Sequence, residues 1–176
     1  MSLLTTNDTL GLWQTVVKEA EGQCAVILEK ELESYLVALL MRYTNQPDVL
    51  QRTAAIRFLN AFHNDAHRKS SLQHVGDQCL LFSGLFPRIA EKRHVKLSYF
   101  VKLGQSAYSA ISGTANDLYG SLSLQFVMLM DVLQSIRQPA DLLPLEAYEQ
   151  WHTLGSQRAF QVLQSYHQAR VIPFKK

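Results

Sequence analysis

Charged residues are scarce in this sequence. They make up 18% of its 176 residues, whereas 47% are hydrophobic. An intrinsically disordered chain is excluded, because it would carry more charge and fewer apolar residues. The charged fraction is also below that of an average soluble domain, so we expect some apolar surface to face a partner subunit. The formal net charge of +2 is too small to indicate a nucleic acid or an anionic membrane by itself.

Cysteine is nearly absent. The two cysteines, Cys24 and Cys79, each lie in an apolar segment. This setting is typical of reduced core thiols, and it argues against a disulfide, a metal ligand or a nucleophile.

Long hydrophobic runs are missing as well. The most apolar stretch, residues 118–133, is interrupted by Gly120, Gln125 and Asp131. It is shorter than the roughly 18 apolar residues of a membrane span. The first residues show no basic segment followed by an apolar one, as a signal peptide would. We therefore expect a cytoplasmic location and no membrane partner.

Familiar catalytic motifs are also lacking. The chain contains no Gly-x-Ser-x-Gly, no Cys-x-x-Cys, no His-Glu-x-x-His and no phosphate-binding glycine loop. The sequence therefore argues against an enzyme, and no cofactor is predicted.

Apolar residues instead recur every three or four positions, with no sustained alternation of the kind that marks strands. Caps and breakers divide the pattern into helices. The predicted helices cover 9–22 with Thr9 as cap, 27–43, 47–63, a helix from a cap at Ser70 or Ser71 towards Pro87, 97–111, 115–137, and 144–166 with a kink at Gly155-Ser156. Residues 1–176 are thus predicted to form one all-α domain, an orthogonal or up-down bundle of six to seven helices. Its N-terminal helices (9–44) are a candidate peripheral or dimerising layer.

One segment is free of basic residues. No lysine or arginine lies between Leu103 and Ile136, so helix 115–137 is predicted to be central or to lie in a dimer interface. The small residues of the helix before it predict that another helix approaches closely; they are Gly104, Ala107, Ser109 and Ala110.

Asp77 is the most notable carboxylate, because it lies early in an otherwise apolar helix. Arg158 is predicted to lie near the apolar face of the last helix, where a half-buried arginine needs an acidic partner. Asp77 and Glu149 are the candidates. We predict that Asp77 pairs with Arg158, and that Tyr99 and Tyr108 lie nearby in a polar site. The alternative is a structural ion pair that fixes helix register.

Two further sites are weaker candidates. His63 and His67 are four residues apart and His74 follows, which is a spacing compatible with a metal site. The alternative is that these imidazoles stabilise the C-terminus of a helix. A basic cluster with interspersed aromatic residues could bind nucleic acid, although such clusters are more often solvated; its members are Arg88, Lys92, Arg93, Lys96 and Lys102.

Three patterns extend this reading: Gly76-Asp77-x-x-Leu80-x-x-x-Gly84-x-Phe86-Pro87, Tyr99-x-x-x-x-Gly104-x-x-Ala107-Tyr108 and Tyr148-Glu149-x-Trp151-x-x-x-Gly155-Ser156-x-Arg158-Ala159. In these the chain resembles a family of uncharacterised bacterial helical proteins that has no assigned activity. The resemblance covers about residues 70–160. It implies a bacterial, all-helical protein, and it carries over no catalytic or ligand-binding residue.

The leading hypothesis is a non-enzymatic helical module that binds another protein or forms a homodimer, because packing surfaces explain the apolar excess and the small-residue faces. One alternative is a bundle with an internal pocket for a metal, heme or small ligand. Another is weak nucleic-acid binding through the basic cluster.

Overall fold

The computed structural model describes residues 2–45, 67–88, 95–114, 116–136 and 142–169. In these ranges the chain forms helices and no strand, so the all-α prediction is confirmed. The eight described helices are α1 (Ser2–Cys24), α2 (Lys30–Asn45), α3 (Arg68–Leu85), α4 (Leu97–Ile111), α5 (Leu118–Leu124), α6 (Phe126–Ile136), α7 (Pro144–Leu154) and α8 (Gln157–Ala169). None of them is long and apolar enough to cross a membrane. The predicted helix 47–63 lies outside the described residues.

Several helix ends differ from the predictions. Helix α1 begins at Ser2 rather than near Thr9, and it continues past Gly22 to Cys24. Helix α3 begins at Arg68, with His67 in the capping position instead of Ser70 or Ser71. The residues at the start of α3 are exposed. Their polarity therefore reflects a solvated first turn and not a loop.

The predicted helix 115–137 consists of two segments, α5 and α6, that meet at Gln125. Asp117 caps α5. Its carboxylate accepts hydrogen bonds from the backbone N–H groups of Gly120 at 2.7 Å and Gly113 at 2.6 Å. These bonds to the ionised form lower the pKa of Asp117 to about 2.

The predicted kink in the last helix is a complete break. Gly155 adopts a left-handed conformation with φ of 71°, which a residue without a Cβ tolerates and which commonly ends a helix. The chain then starts a new helix at Gln157. Helices α7 and α8 pack against each other as a hairpin.

The core is built around α3 and α6. Helix α3 packs against α4 and α6, and α1 also packs against α6. Every residue from Leu129 to Ser135 is buried, so the predicted central position of this segment is confirmed. Helices α1 and α2 contribute Val17, Ala20 and several leucines to the same core cluster. Cys24 and Cys79 are buried free thiols, as predicted.

The small-residue prediction for α4 holds in part. A Cβ on Gly104 would overlap the ring of Phe126, so this glycine allows α6 to approach. Ala107 is also buried, but Ser109 and Ala110 are exposed. The close contact therefore involves only one turn of α4, because Ser109 and Ala110 point away from the neighbouring helices.

Candidate functional site

A buried polar cluster is centred on Asp77 of α3. This side chain is 1% exposed. Its Oδ1 accepts hydrogen bonds from the hydroxyls of Tyr35 at 2.6 Å and Tyr108 at 2.8 Å. Its Oδ2 accepts one from Nη1 of Arg42 at 3.0 Å. Helices α2 and α4 therefore supply hydrogen-bond donors to a carboxylate on a third helix, α3.

The cluster extends towards the surface through Gln73. The amide of Gln73 donates to the Tyr35 hydroxyl at 3.3 Å and accepts from the Tyr119 hydroxyl at 3.0 Å. Lys69 lies 5.4 Å from the centre of the Tyr119 ring, within the range of a cation–π contact. We call Tyr35, Arg42, Gln73, Asp77, Tyr108 and Tyr119 the Asp77 cluster; it links α2, α3, α4 and α5.

The local sequence explains this arrangement. Tyr35 and Arg42 are seven residues apart on α2, and Gln73 and Asp77 are four apart on α3, so each pair shares a helix face. Gly76 makes room for the ring of Tyr108, because a Cβ on this glycine would lie 2.5 Å from a ring carbon. The glycine beside Asp77 therefore lets Tyr108 reach the carboxylate.

Burial dominates the electrostatics of the Asp77 cluster. Desolvation raises the pKa of Asp77, against the opposing effects of the Tyr35 and Tyr108 hydrogen bonds and the Arg42 charge. Desolvation and the nearby carboxylate also raise the pKa values of Tyr35 and Tyr108. Both hydroxyls therefore stay protonated and remain donors to Asp77. Because the Asp77 oxygens are already bonded within the chain, the arrangement favours a structural cross-link over a proton-transfer site.

The predicted pairing of Asp77 with Arg158 is wrong. Arg42 occupies that role, because it lies two turns after Tyr35 on α2 and its Nη1 is 3.0 Å from Asp77 Oδ2. Tyr108 belongs to the Asp77 cluster as predicted, but Tyr99 does not: its ring is 45% exposed and meets Phe100 edge-on.

Arg158 instead lies beside a second buried carboxylate, Asp131 of α6. Asp131 accepts hydrogen bonds from the Ser156 hydroxyl at 2.6 Å and from the Gln157 backbone N–H at 2.9 Å. Burial raises the pKa of Asp131, while Ser156, the backbone donors and the Arg158 charge oppose the rise. The Arg158 guanidinium itself donates to Gln134 Oε1 at 3.1 Å. Asp131 thus stabilises the N-terminus of α8 from a neighbouring helix.

The weaker candidate sites are only partly within the described ranges. His63, Lys92 and Arg93 lie outside them. His67 is exposed, His74 is half-buried, and the described residues include no group of three or more His, Cys, Asp or Glu side chains placed to hold a metal ion. Arg88, Lys96 and Lys102 are exposed, so the metal site and the nucleic-acid site both remain predictions.

An aromatic surface lies on the α7–α8 hairpin. The ring of Tyr148 stacks on His152 with centroids 5.5 Å apart and meets Trp151 at 6.1 Å. Trp151 in turn contacts Phe160 of α8 at 5.5 Å. The Tyr166 hydroxyl reaches the Leu142 carbonyl at 3.3 Å, which joins the end of α8 to the start of α7. We call the exposed large apolar residues of this hairpin and its N-cap the aromatic face: Leu143, Leu145, Tyr148, Trp151 and Tyr166.

Sequence reasoning missed Tyr35, Arg42 and Asp131 as site residues. Tyr35 lies in the apolar stripe of α2, and Arg42 follows it by two turns. That spacing places a hydroxyl and a guanidinium on one face, and it is the signal that could have identified them. Asp131 offered a similar signal, because it is the one charged residue in the apolar segment that forms α6. Comparison with known proteins adds no assignment, because no family model, no curated protein and no solved structure matches this chain.

Proposed function

We propose that this protein is a non-enzymatic helical module whose aromatic face binds a second copy of the same chain. The observation that carries the proposal is the exposure of five large apolar side chains on one helical hairpin. Leu145 is 78% exposed, Tyr148 49% and Trp151 40%, and Leu143 and Tyr166 are also exposed.

The size of the aromatic face supports a binding role. At roughly 200 Å² for a large side chain, the exposed fractions amount to on the order of 500 Å². Apolar patches of this size lie at the upper end of those found on monomers and are often functional. A standard protein interface covers about 800 Å² on each partner, so the aromatic face could form most of one side of a small interface.

The charge pattern supports a second copy as the occupant. In a two-fold symmetric contact the same patch meets itself, so like charges oppose each other. Glu146, Glu149 and Arg158 are the only acidic or basic side chains from Leu143 to Tyr166, apart from His152. All five members of the aromatic face are uncharged. The aromatic rings of two copies can therefore pack against each other without charge repulsion. The Tyr148 and Tyr166 hydroxyls can form hydrogen bonds across the interface.

The Asp77 cluster supports the non-enzymatic part of the proposal. Its carboxylate oxygens are bonded to Tyr35, Tyr108 and Arg42, and such an arrangement stabilises packing between helices. The buried free thiols suit a reducing compartment, so the proposal includes a cytoplasmic location.

Sedimentation equilibrium over a range of protein concentrations tests the proposal. We expect wild type to move from monomer to dimer as concentration rises. The double variant Leu145→Gln/Tyr148→Gln removes the two most exposed apolar side chains of α7. Because their burial would drive association, we expect the dimer to weaken at least tenfold, which is about 1.4 kcal/mol.

Two side chains elsewhere provide a matched control. Leu124 is 72% exposed on α5 and Tyr99 is 45% exposed on α4, so Leu124→Gln/Tyr99→Gln removes similar apolar surface from other helices. This variant should dimerise like wild type. A wild type that stays monomeric at every concentration, or equal weakening by both double variants, would contradict the proposal.

A further inference from the structure

The α7–α8 hairpin buries few of its side chains. Of the side chains described in it, only Ala147, Ser156 and Ala159 are buried. In α6, by contrast, every residue from 129 to 135 is buried. Parts of a protein that bury little apolar surface open at a lower free energy than its core. The hairpin therefore has the burial pattern of a segment that can open separately.

The apolar contacts of the hairpin are largely internal. Trp151 of α7 packs on Phe160 of α8, and Leu154 is the one hairpin residue among the described apolar side chains that pack against the core cluster. A cavity of about 310 Å³ lies between α7, the start of α4 and Pro87. This volume equals that of about ten water molecules. Helix α7 is therefore not closely packed on α4.

Hydrogen bonds at the start of α8 attach the hairpin to α6. The buried Asp131 carboxylate accepts from the Ser156 hydroxyl at 2.6 Å and from the Gln157 backbone N–H at 2.9 Å. Beside it, Nη1 of Arg158 donates to Oε1 of Gln134 at 3.1 Å. We call these five residues the α6–α8 contact. Because Asp131 accepts bonds from two of the three α8 residues, it is the main point of attachment.

The α6–α8 contact is polar, which lowers the cost of separating it. On separation, Asp131 and Gln134 exchange protein donors for water, whereas separation of an apolar core would expose hydrocarbon. Contacts between parts of a chain that move relative to each other are typically more polar than a core. Gln134 also donates from Nε2 to the Ser83 carbonyl of α3 at 2.9 Å. That bond between α6 and α3 does not depend on α8.

We propose that the α7–α8 hairpin undocks from α6 as a unit while the described helices α1–α6 stay folded, and that Asp131 is the latch that keeps it docked. The movement displaces the aromatic face relative to the bundle, because all members of this face lie on the hairpin or at its N-cap. It also uncovers the polar groups of the α6–α8 contact. Undocking does not require the aromatic face to dimerise.

Native-state hydrogen exchange of the full chain, followed by mass spectrometry of its peptides, tests the movement. Helices α7 and α8 contain 11 and 13 residues, and helices of this length are marginally stable alone in water. Their amides therefore exchange when the hairpin undocks. We expect them to exchange at least about tenfold faster than the amides of the buried part of α3, residues 75–83. Equal protection of the two regions would overturn the proposal.

Two matched variants separate undocking from global unfolding. Asp131→Asn replaces one acceptor oxygen by an amino group that cannot accept a bond from α8, so exchange in α7 and α8 should rise about tenfold or more. Asp77→Asn weakens the Asp77 cluster, which stays intact when the hairpin undocks. It should therefore raise exchange in α3 and leave α7 and α8 unchanged. If Asp77→Asn raises exchange in the hairpin as much as in α3, the hairpin opens only by global unfolding and the proposal is wrong.

Arg158→Met tests the same contact from the hairpin side and keeps the Asp131 carboxylate in case Asp131→Asn does not fold. It removes the bond to Gln134 but retains an unbranched side chain. Exchange in α7 and α8 should rise about threefold or more. Unchanged exchange in the hairpin of Arg158→Met would overturn the role of the α6–α8 contact.

The same measurements in the Leu145→Gln/Tyr148→Gln background separate undocking from dimerisation. Both side chains are exposed, and neither belongs to the α6–α8 contact. Asp131→Asn should therefore raise hairpin exchange by the same factor in this background as in wild type. Loss of that response would show that exchange reports dissociation of a dimer, and it would overturn the undocking proposal.

Discussion

The Asp77 cluster and the outer side of α7 use polar and aromatic side chains in opposite ways. In the Asp77 cluster, a buried carboxylate bonds to two tyrosines and an arginine from the same chain. On α7, Tyr148 and Trp151 keep two-fifths or more of their surface exposed. Both carboxylate oxygens of Asp77 are hydrogen-bonded within the chain, whereas the aromatic side chains of α7 are accessible from outside it. The perturbed pKa values thus belong to a buried cross-link between helices, whereas the exposed side chains of α7 are where we propose binding.

Removing the buried Asp77 carboxylate should have the largest effect on stability. Asp77→Ala leaves the buried Tyr108 hydroxyl and the Tyr35 hydroxyl without their acceptor, so we expect the free energy of unfolding to fall by about 3 kcal/mol. Urea denaturation measures it. The exposed Asp8 provides the control, since Asp8→Ala should change stability by no more than about 0.5 kcal/mol. A change at Asp77 as small as that at Asp8 would contradict the structural role of the Asp77 cluster.

Steric crowding should break the same cluster without changing its charge. Gly76→Ala places a methyl group against the Tyr108 ring, with carbon atoms only 2.5 Å apart, so we expect a loss of about 1–3 kcal/mol. At Gly11, a helical glycine of α1 with nothing within 4 Å, the same change should stabilise by about 0.5–1 kcal/mol. Opposite signs for the two variants are the expected result. Equal effects would show that Gly76 does not make room for Tyr108.

A smaller effect should appear in the pH dependence of stability. The folded pKa of Asp77 is raised above its ordinary value of 3.8, so the folded protein keeps a proton that the unfolded chain has released. This contribution to stability is fully present below pH 3.8 and is lost as the pH rises through the folded pKa. The free energy of unfolding of wild type, relative to Asp77→Asn, should therefore decrease from pH 3.8 towards neutral. A difference that stays constant or grows with pH would contradict the raised pKa.

The same contrast explains how far the sequence could predict this protein. The repeating apolar stripes and Pro144 predicted the all-helical fold and several helix boundaries, because burial of a helix face leaves a regular spacing. Asp77 and Tyr108 were recognised, since polar groups in apolar helices need partners. The partner of Asp77 was assigned to Arg158 and not to Arg42, because the spacing within a helix gives no information about which helices are neighbours.

Other features required the three-dimensional structure for the same reason. Lys96 and Gln150, which are far apart in sequence, line one cavity between α7 and the start of α4. They come together only because these two segments lie side by side. The capping of α8 by Asp131 also joins distant segments. The aromatic face is different, since Tyr148 and Trp151 are close in sequence, but their exposure depends on how the α7–α8 hairpin lies on the bundle.

A charge-complementation experiment tests the central claim, that the aromatic face meets a second copy of itself, most directly. Tyr148→Lys and Tyr148→Glu each place like charges across a symmetric contact, so each variant alone should be monomeric in sedimentation equilibrium. Mixed in equal amounts, they should form a heterodimer, because the lysine of one chain then lies close to the glutamate of the other. Two variants that dimerise separately as well as wild type, or that stay monomeric when mixed while wild type dimerises, would contradict the symmetric interface.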